Sequence, residues 1–240
     1  MHFVLLPGLD GTGELFEPIR EALAGAGHVA TVIAYPRDEA LDYASLVERV
    51  VLPDVPFVLV GESFSGPVAL ALAARRPPSL RAVVLVATFA RPPLLGSPFL
   101  LPFVGALLFR LALPPVLLRC LLVGFRAPAS LVGRVAATVR SVPPGVLAHR
   151  VRAVLAVDAE SAARACTVPV LYLRATHDRL VPGRCAAHLG ALIPGMQVGE
   201  VAGPHLVLQA NPEEAAREIL RFVEGLGSAH ERAPALGELQ

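Results

Sequence analysis

Val58–Pro77 reads VLVGESFSGPVALALAARRP. An apolar, valine-rich run closes on Gly61, a hexapeptide GESFSG follows, and a stretch rich in alanine and leucine comes next. The run Pro56–Gly61 has the continuous apolar character of a strand buried on both faces. Ser65 to Arg75 is composed of helix formers. A strand that feeds a helix through so short a joint is half of a βα unit, and repeated units of this kind build an α/β fold around a parallel sheet. The joint nearly spells G-x-S-x-G, the turn that lifts a serine clear of strand and helix. One glycine is displaced: Ser65 occupies its place and Gly66 follows.

Two serines therefore compete for the exposed position. With Ser63 at the tip, the small residues needed two places to either side are Gly61 and Ser65. With Ser65 at the tip they are Ser63 and Pro67, and proline is bulkier and fixes its own φ. Ser63 is the better candidate, against the plainer alternative of a serine that caps the following helix.

Outward from this joint the alternation continues. His2–Gly8, His28–Pro36, Arg81–Ala90, Val168–Ala175 and Met196–Gly203 read as strands. Glu14–Ala24, Asp42–Leu52, Arg184–Leu192 and Pro212–Glu224 read as helices. The expectation is a mostly parallel sheet of about six strands flanked by helices. Residues 91–165 break the alternation and read as a helical cap inserted between core segments 1–90 and 166–227, with 228–240 a flexible tail. Leu94–Gly124 is oily, but Pro98, Pro102, Pro114, Pro115, Arg110 and Arg119 interrupt it, so broken helices fit it better than a membrane span. A lid over an apolar pocket, or contact with a membrane surface, are its two uses.

Composition narrows the chemistry. Of 240 residues, 54% are hydrophobic and 17% charged, which excludes disorder. The net charge of +1 comes from scattered residues with no basic stripe, so a nucleic-acid partner is not expected. Every basic residue is arginine. Without lysine there is no pyridoxal-phosphate Schiff base and no phosphate-loop lysine. Cys120, Cys166 and Cys185 have no CxxC spacing, so they read as free thiols in a reducing, cytoplasmic setting, and no metal site is expected. MHFVLLPG reads as a strand and not as a signal peptide.

An activated serine needs a base, and the base needs an orienting carboxylate. In this type of sheet both follow the serine, acid before histidine, each beyond a later strand. Asp178 lies just past the strand ending at Ala175, and His205 lies in the loop after the last strand. His177 reads as a bystander, and Glu62 and Asp158 as weaker acid candidates. A tetrahedral oxyanion needs two fixed N–H donors. Phe64, next after the serine, supplies one, and Leu9 or Asp10 in the turn LPGLDGTG supplies the other. Gly8, Gly11 and Gly13 are spaced G-x-x-G-x-G, which disfavours a dinucleotide site, and no cofactor is expected.

LLPGLDGTG, VGESFSGPVALALAARRP, HDRLVP and GPHLVLQANPEE together resemble the α/β-hydrolase superfamily over residues 1–90 and 166–225. The resemblance is strongest to small carboxylesterases of the pimeloyl-carrier-protein methyl esterase type, and partial to the hydrolase part of plant phytyl ester synthases, which are acyltransferases. It implies an α/β-hydrolase fold with Ser63 as nucleophile, His205 as general base, Asp178 as orienting acid, and the N–H groups of Leu9 and Phe64 as the oxyanion hole. Ser65 departs from the family's glycine, and Pro7 from its common histidine. The expected activity is cleavage of small-molecule carboxylic esters with apolar acyl groups, through an acyl-enzyme and without cofactor or metal. Phe99, Phe103 and Leu107 are candidates for the acyl pocket. Acyl transfer by the same residues, or a binding protein that kept the fold, are the alternatives.

Overall fold

A computed structural model describes residues 1–93 and 114–231. Phe99, Phe103 and Leu107 lie outside the described residues. Strands β1 (His2–Leu6), β2 (Val29–Val32), β3 (Phe57–Glu62), β4 (Leu80–Val86), β5 (Val170–Ala175) and β6 (Gln197–Val201) form a six-stranded sheet in the order β2-β1-β3-β4-β5-β6. Each pairing is parallel, as expected for βα units in sequence.

The central strands β1, β3 and β4 are apolar on both faces because both are covered. Phe3, Leu5, Val58, Val60, Val84 and Val86 face one side, against Ile19 and Leu23 of α1 (Glu17–Gly25) and Ile219 and Phe222 of α10 (Pro212–Glu231). The alternate residues Val4, Leu6, Leu59, Val83 and Leu85 face the other. There they meet Leu46 of α2 (Tyr43–Arg49), Val68 and Leu72 of α3 (Gly66–Ala74), and Leu189 of α8 (Arg184–Leu192). Each such side chain withdrawn from water contributes about 1.5–3 kcal/mol before chain entropy is set against it. Helix α3 is apolar all round, which requires a central place, and seven of its residues are buried.

Two boundaries differ from the sequence expectation for local reasons. Strand β2 ends at Val32 rather than Pro36. Ile33 N–H still donates to Leu5 O, but Tyr35 N–H turns to Gly11 O at 2.7 Å, so the chain leaves the sheet to brace the loop after β1. The first helix begins as a single tight turn, Glu14–Phe16, entered through Gly13 at φ 75°, and α1 then starts with proline in its first turn.

Between β4 and β5 the described part of the insertion is helical. It comprises α4 (Pro115–Leu118), widening into a π turn at Arg119–Val123, then α5 (Ala129–Arg140), α6 (Pro144–Leu155) and α7 (Glu160–Ala165). Leu118, Val123, Leu131, Val132 and Val135 pack with Leu15 and Leu206, from the loops at the carboxyl edge of the sheet. The insertion therefore roofs that edge. A short helix α9 (Val207–Ala210) precedes α10, which begins at the expected Pro212 and runs on to Glu231. Among the described residues no helix is long and apolar enough to cross a membrane.

Candidate active site

The sheet order reverses at β1: β2 lies to one side of it and β3 to the other. Loops leaving adjacent strands in opposite directions open a crevice at their carboxyl ends. The loop after β1 carries Leu9, and the turn after β3 carries Ser63 and Phe64.

Ser63 sits at φ 49°, in the left-handed region that costs a residue with a side chain about 1–3 kcal/mol. The turn is held by close packing. A Cβ at Gly61 would fall 2.8 Å from both the Ala69 Cβ and the Ser65 carbonyl oxygen. A Cβ at Gly66 would meet the Thr88 Oγ1 at 2.0 Å, and that same hydroxyl donates to the Ser63 carbonyl. The displaced glycine is thus required by Thr88, two residues past the end of β4. Ser65 is fully buried and donates its Oγ–H to the Pro7 carbonyl. Its single proton being used there, the 2.7 Å contact with the Tyr35 hydroxyl has Tyr35 as donor. Ser65 is committed on both sides and closed to solvent, whereas the Ser63 hydroxyl faces a cavity.

His205, in the loop between β6 and α9, places Nε2 2.9 Å from the Ser63 Oγ. Its Nδ1 lies 2.8 Å from Asp178 Oδ2. The other carboxylate oxygen of Asp178 accepts the Leu180 and Val181 N–H groups at 2.8 and 2.9 Å, which fixes the carboxylate plane. Both side chains are 4% exposed. A carboxylate beside Nδ1 selects the tautomer with the proton on that nitrogen and leaves Nε2 free to accept from the serine. Leu206 N–H donates to Leu122 O at 2.9 Å, tying the histidine loop to the insertion.

The remaining acid and histidine candidates fall elsewhere. His177 is exposed, with Nδ1 3.1 Å from the Thr176 hydroxyl. Asp158 pairs with Arg91 on the surface. Glu62 is buried, and only its Oε2 is hydrogen-bonded, by the Gln209 amide at 3.2 Å. Burial pushes its pKa up to about 8, and the Asp10 charge adds to the rise, so it is a neutral acid at pH 7. Among the described residues no cluster of three or more His, Cys, Asp or Glu could hold a metal ion.

Gly8, Leu9, Ser63, Phe64 and His205 line one cavity of about 390 Å³. Leu9 and Phe64 both line this cavity, and Phe64 lies in the single turn Ser63–Ser65 that leads into α3, where the first N–H groups lack intrahelical acceptors. Apart from Asp10 the rest of the wall is apolar: Leu15 and Phe89 from the core, Leu118, Val135 and Val139 from α4 and α5, and Leu147, Val151 and Val154 from α6. These α5 and α6 residues were not named from sequence, although Leu147, Val151 and Val154 recur at i, i+4 and i+7, the spacing of one helix face. Arg150, buried on the same helix, was also missed.

No curated protein matches the sequence. Solved structures do match in fold. A thermophilic esterase from Thermogutta terrifontis superposes with a TM-score of 0.75 at 20% identity, covering 94% of this chain and 90% of that one. The enol-lactonase from Burkholderia xenovorans LB400 gives 0.71 at 22%, covering 93% and 91%. A bromoperoxidase from Bacillus anthracis gives 0.74 at 16%, covering 93% and 91%. The family profile described as alpha/beta hydrolase matches residues 3–218, spanning the sheet, the turn at Ser63 and the loops that carry Asp178 and His205. The chain belongs to the alpha/beta hydrolase family.

Proposed function

We propose that the protein is a serine hydrolase that cleaves carboxylic esters of apolar acyl groups through an acyl-enzyme on Ser63. The observation that carries this reading is the hydrogen-bonded series Ser63–His205–Asp178, with Ser63 and His205 in the wall of an apolar cavity. Ser63 Oγ attacks the ester carbonyl as its proton passes to His205 Nε2, and Asp178 stabilises the imidazolium through Nδ1–H. The Leu9 and Phe64 N–H groups hold the oxyanion. Collapse expels the alkoxide, which takes the proton back from His205. Water then repeats the sequence on the acyl-enzyme, releasing the carboxylic acid and restoring Ser63.

Hydrolysis of a p-nitrophenyl ester series from acetate to palmitate tests this. Ser63→Ala is expected to lose roughly four orders of magnitude in kcat and all labelling by a fluorophosphonate. A Ser63→Ala protein as active as wild type would sink the assignment. With a long-chain alcohol present, free acid is the expected product, and a new ester would reassign the same residues to acyl transfer.

A further inference from the structure

Arg150 projects from α6 of the insertion and is 1% exposed. Its guanidinium donates to three backbone carbonyls: Leu9 O at 3.1 Å, Asp10 O at 2.5 Å and Pro36 O at 2.9 Å. It also lies 6.0 Å from the Tyr35 ring centroid. Gly11, at φ 69°, makes room for it, because a Cβ there would stand 2.4 Å from Nη1. A buried cation is costly, and burial lowers the pKa of this one, with Asp10 and Tyr35 opposing. The Asp10 Oδ1 itself accepts from the Thr12 N–H and hydroxyl. Filling space beneath a helix does not require such a group, since a leucine would do so without the desolvation cost. A planar fork with several donors suits consecutive peptide carbonyls, and this one grips two of them.

Those two belong to the loop that carries the Leu9 N–H. The carbonyls of residues 7 to 10 are all held: Pro7 O by Ser65, Gly8 O by the Gly11 N–H at 3.0 Å, and Leu9 O and Asp10 O by Arg150. Each peptide unit is planar, so its N–H points opposite to its carbonyl. Gly8 O bonded to Gly11 aims the Leu9 N–H away from that turn, and Arg150 on Leu9 O fixes the next plane. The direction of the N–H is thereby set from both sides. We infer that Arg150 is a positioning residue for the oxyanion hole, through which helix α6 of the insertion governs catalysis at Ser63. The inference rests on the ester-hydrolase reading above. Helix α6 also lines the cavity with Leu147, Val151 and Val154, so an acyl chain seated there presses on the helix that aligns the oxyanion donor. Binding energy from the chain is then used in the transition state and appears in kcat.

The test compares wild type, Arg150→Lys and Arg150→Gln as full chains, confirmed folded by circular dichroism. Kinetics on a p-nitrophenyl ester are paired with inhibition by an alkyl trifluoromethyl ketone and by the alkyl amide of the same length. The ketone takes Ser63 Oγ into a hemiketal, with the proton on His205, and presents an oxyanion; the amide does not. Arg150→Gln is expected to lower kcat about 10- to 100-fold with KM nearly unchanged, approaching the loss of one oxyanion donor. Ketone inhibition should weaken in parallel while amide inhibition stays as in wild type. Arg150→Lys, which keeps the charge without the fork, should fall between the two. Unchanged kcat and ketone inhibition in either folded variant would overturn the inference, as would equal weakening of ketone and amide. Should Arg150→Gln not fold, Arg150→Lys decides by the same criteria. If wild type turns over no ester, or Ser63→Ala remains active, it is the hydrolase reading that fails, and the inference falls with it.

Discussion

Ser65 has exchanged the freedom of a glycine for two buried hydrogen bonds, one to the Pro7 carbonyl and one from the Tyr35 hydroxyl. Ser65→Ala leaves both partners unsatisfied, which should cost about 1–3 kcal/mol of stability by chemical denaturation. Because Pro7 precedes the Leu9 loop, kcat should drop roughly tenfold, far less than for Ser63→Ala, and fluorophosphonate labelling of Ser63 should persist. Complete loss of labelling would instead make Ser65 the nucleophile. Glu62 acts at the same scale through its proton. Its folded pKa, about 8, lies above its ordinary 4.5. Between those values the folded chain holds more protons than the unfolded one, so stability falls as pH rises from 4.5 to about 8 and the loss is complete above. Each pH unit across that interval removes about 1.4 kcal/mol, so the whole loss is of order a few kcal/mol. Glu62→Gln removes it. The variant's stability relative to wild type should therefore climb with pH across this window in denaturant titrations at pH 5, 7 and 9. A constant difference would mean that Glu62 is ionised throughout.

Elements whose stability is decided locally were legible in the sequence. Helix α8 has the limits its pattern implied, Arg184–Leu192, and β5 ends at the expected Ala175, which puts Asp178 three residues beyond a strand end. The short continuous apolar runs of β1, β3 and β4, alternating with helical stretches, read as buried parallel strands and are so. Elements decided by distant partners were not legible. The early end of β2 follows from a bond between Tyr35 and Gly11, which no local propensity encodes. Nothing local in AHRVRAVL marks Arg150 as buried, because what buries it is backbone 114 to 141 positions away. The same holds for Ser65, which looked like a defect in a motif until the Pro7 carbonyl, 58 positions distant, was placed beside its hydroxyl. The candidate site was readable as an order of residues beyond strand ends, and the elements that aim those residues were not.

At the scale of the whole molecule, sheet and insertion divide the work. The sheet's reversal at β1 brings the Leu9 loop and the Ser63 turn together, and the insertion supplies the roof and most of the apolar wall. A wall of this kind binds by area and discriminates by length, since a misfit of one methylene in an apolar pocket changes selectivity roughly 10- to 200-fold. Val139 lines the cavity from α5 and packs against Val146 and Leu147 of α6, so a larger side chain there subtracts volume from the apolar end of the cavity. Val139→Phe is accordingly expected to leave p-nitrophenyl acetate turnover near wild type and to depress that of the longest accepted ester at least tenfold, shifting the chain-length optimum down. A uniform loss over the series would point to disturbed packing, which thermal unfolding would register. An unchanged optimum with unchanged stability would mean that the acyl chain leaves Ser63 in another direction, and the cavity beneath α5 and α6 would then belong to the alcohol part of the ester.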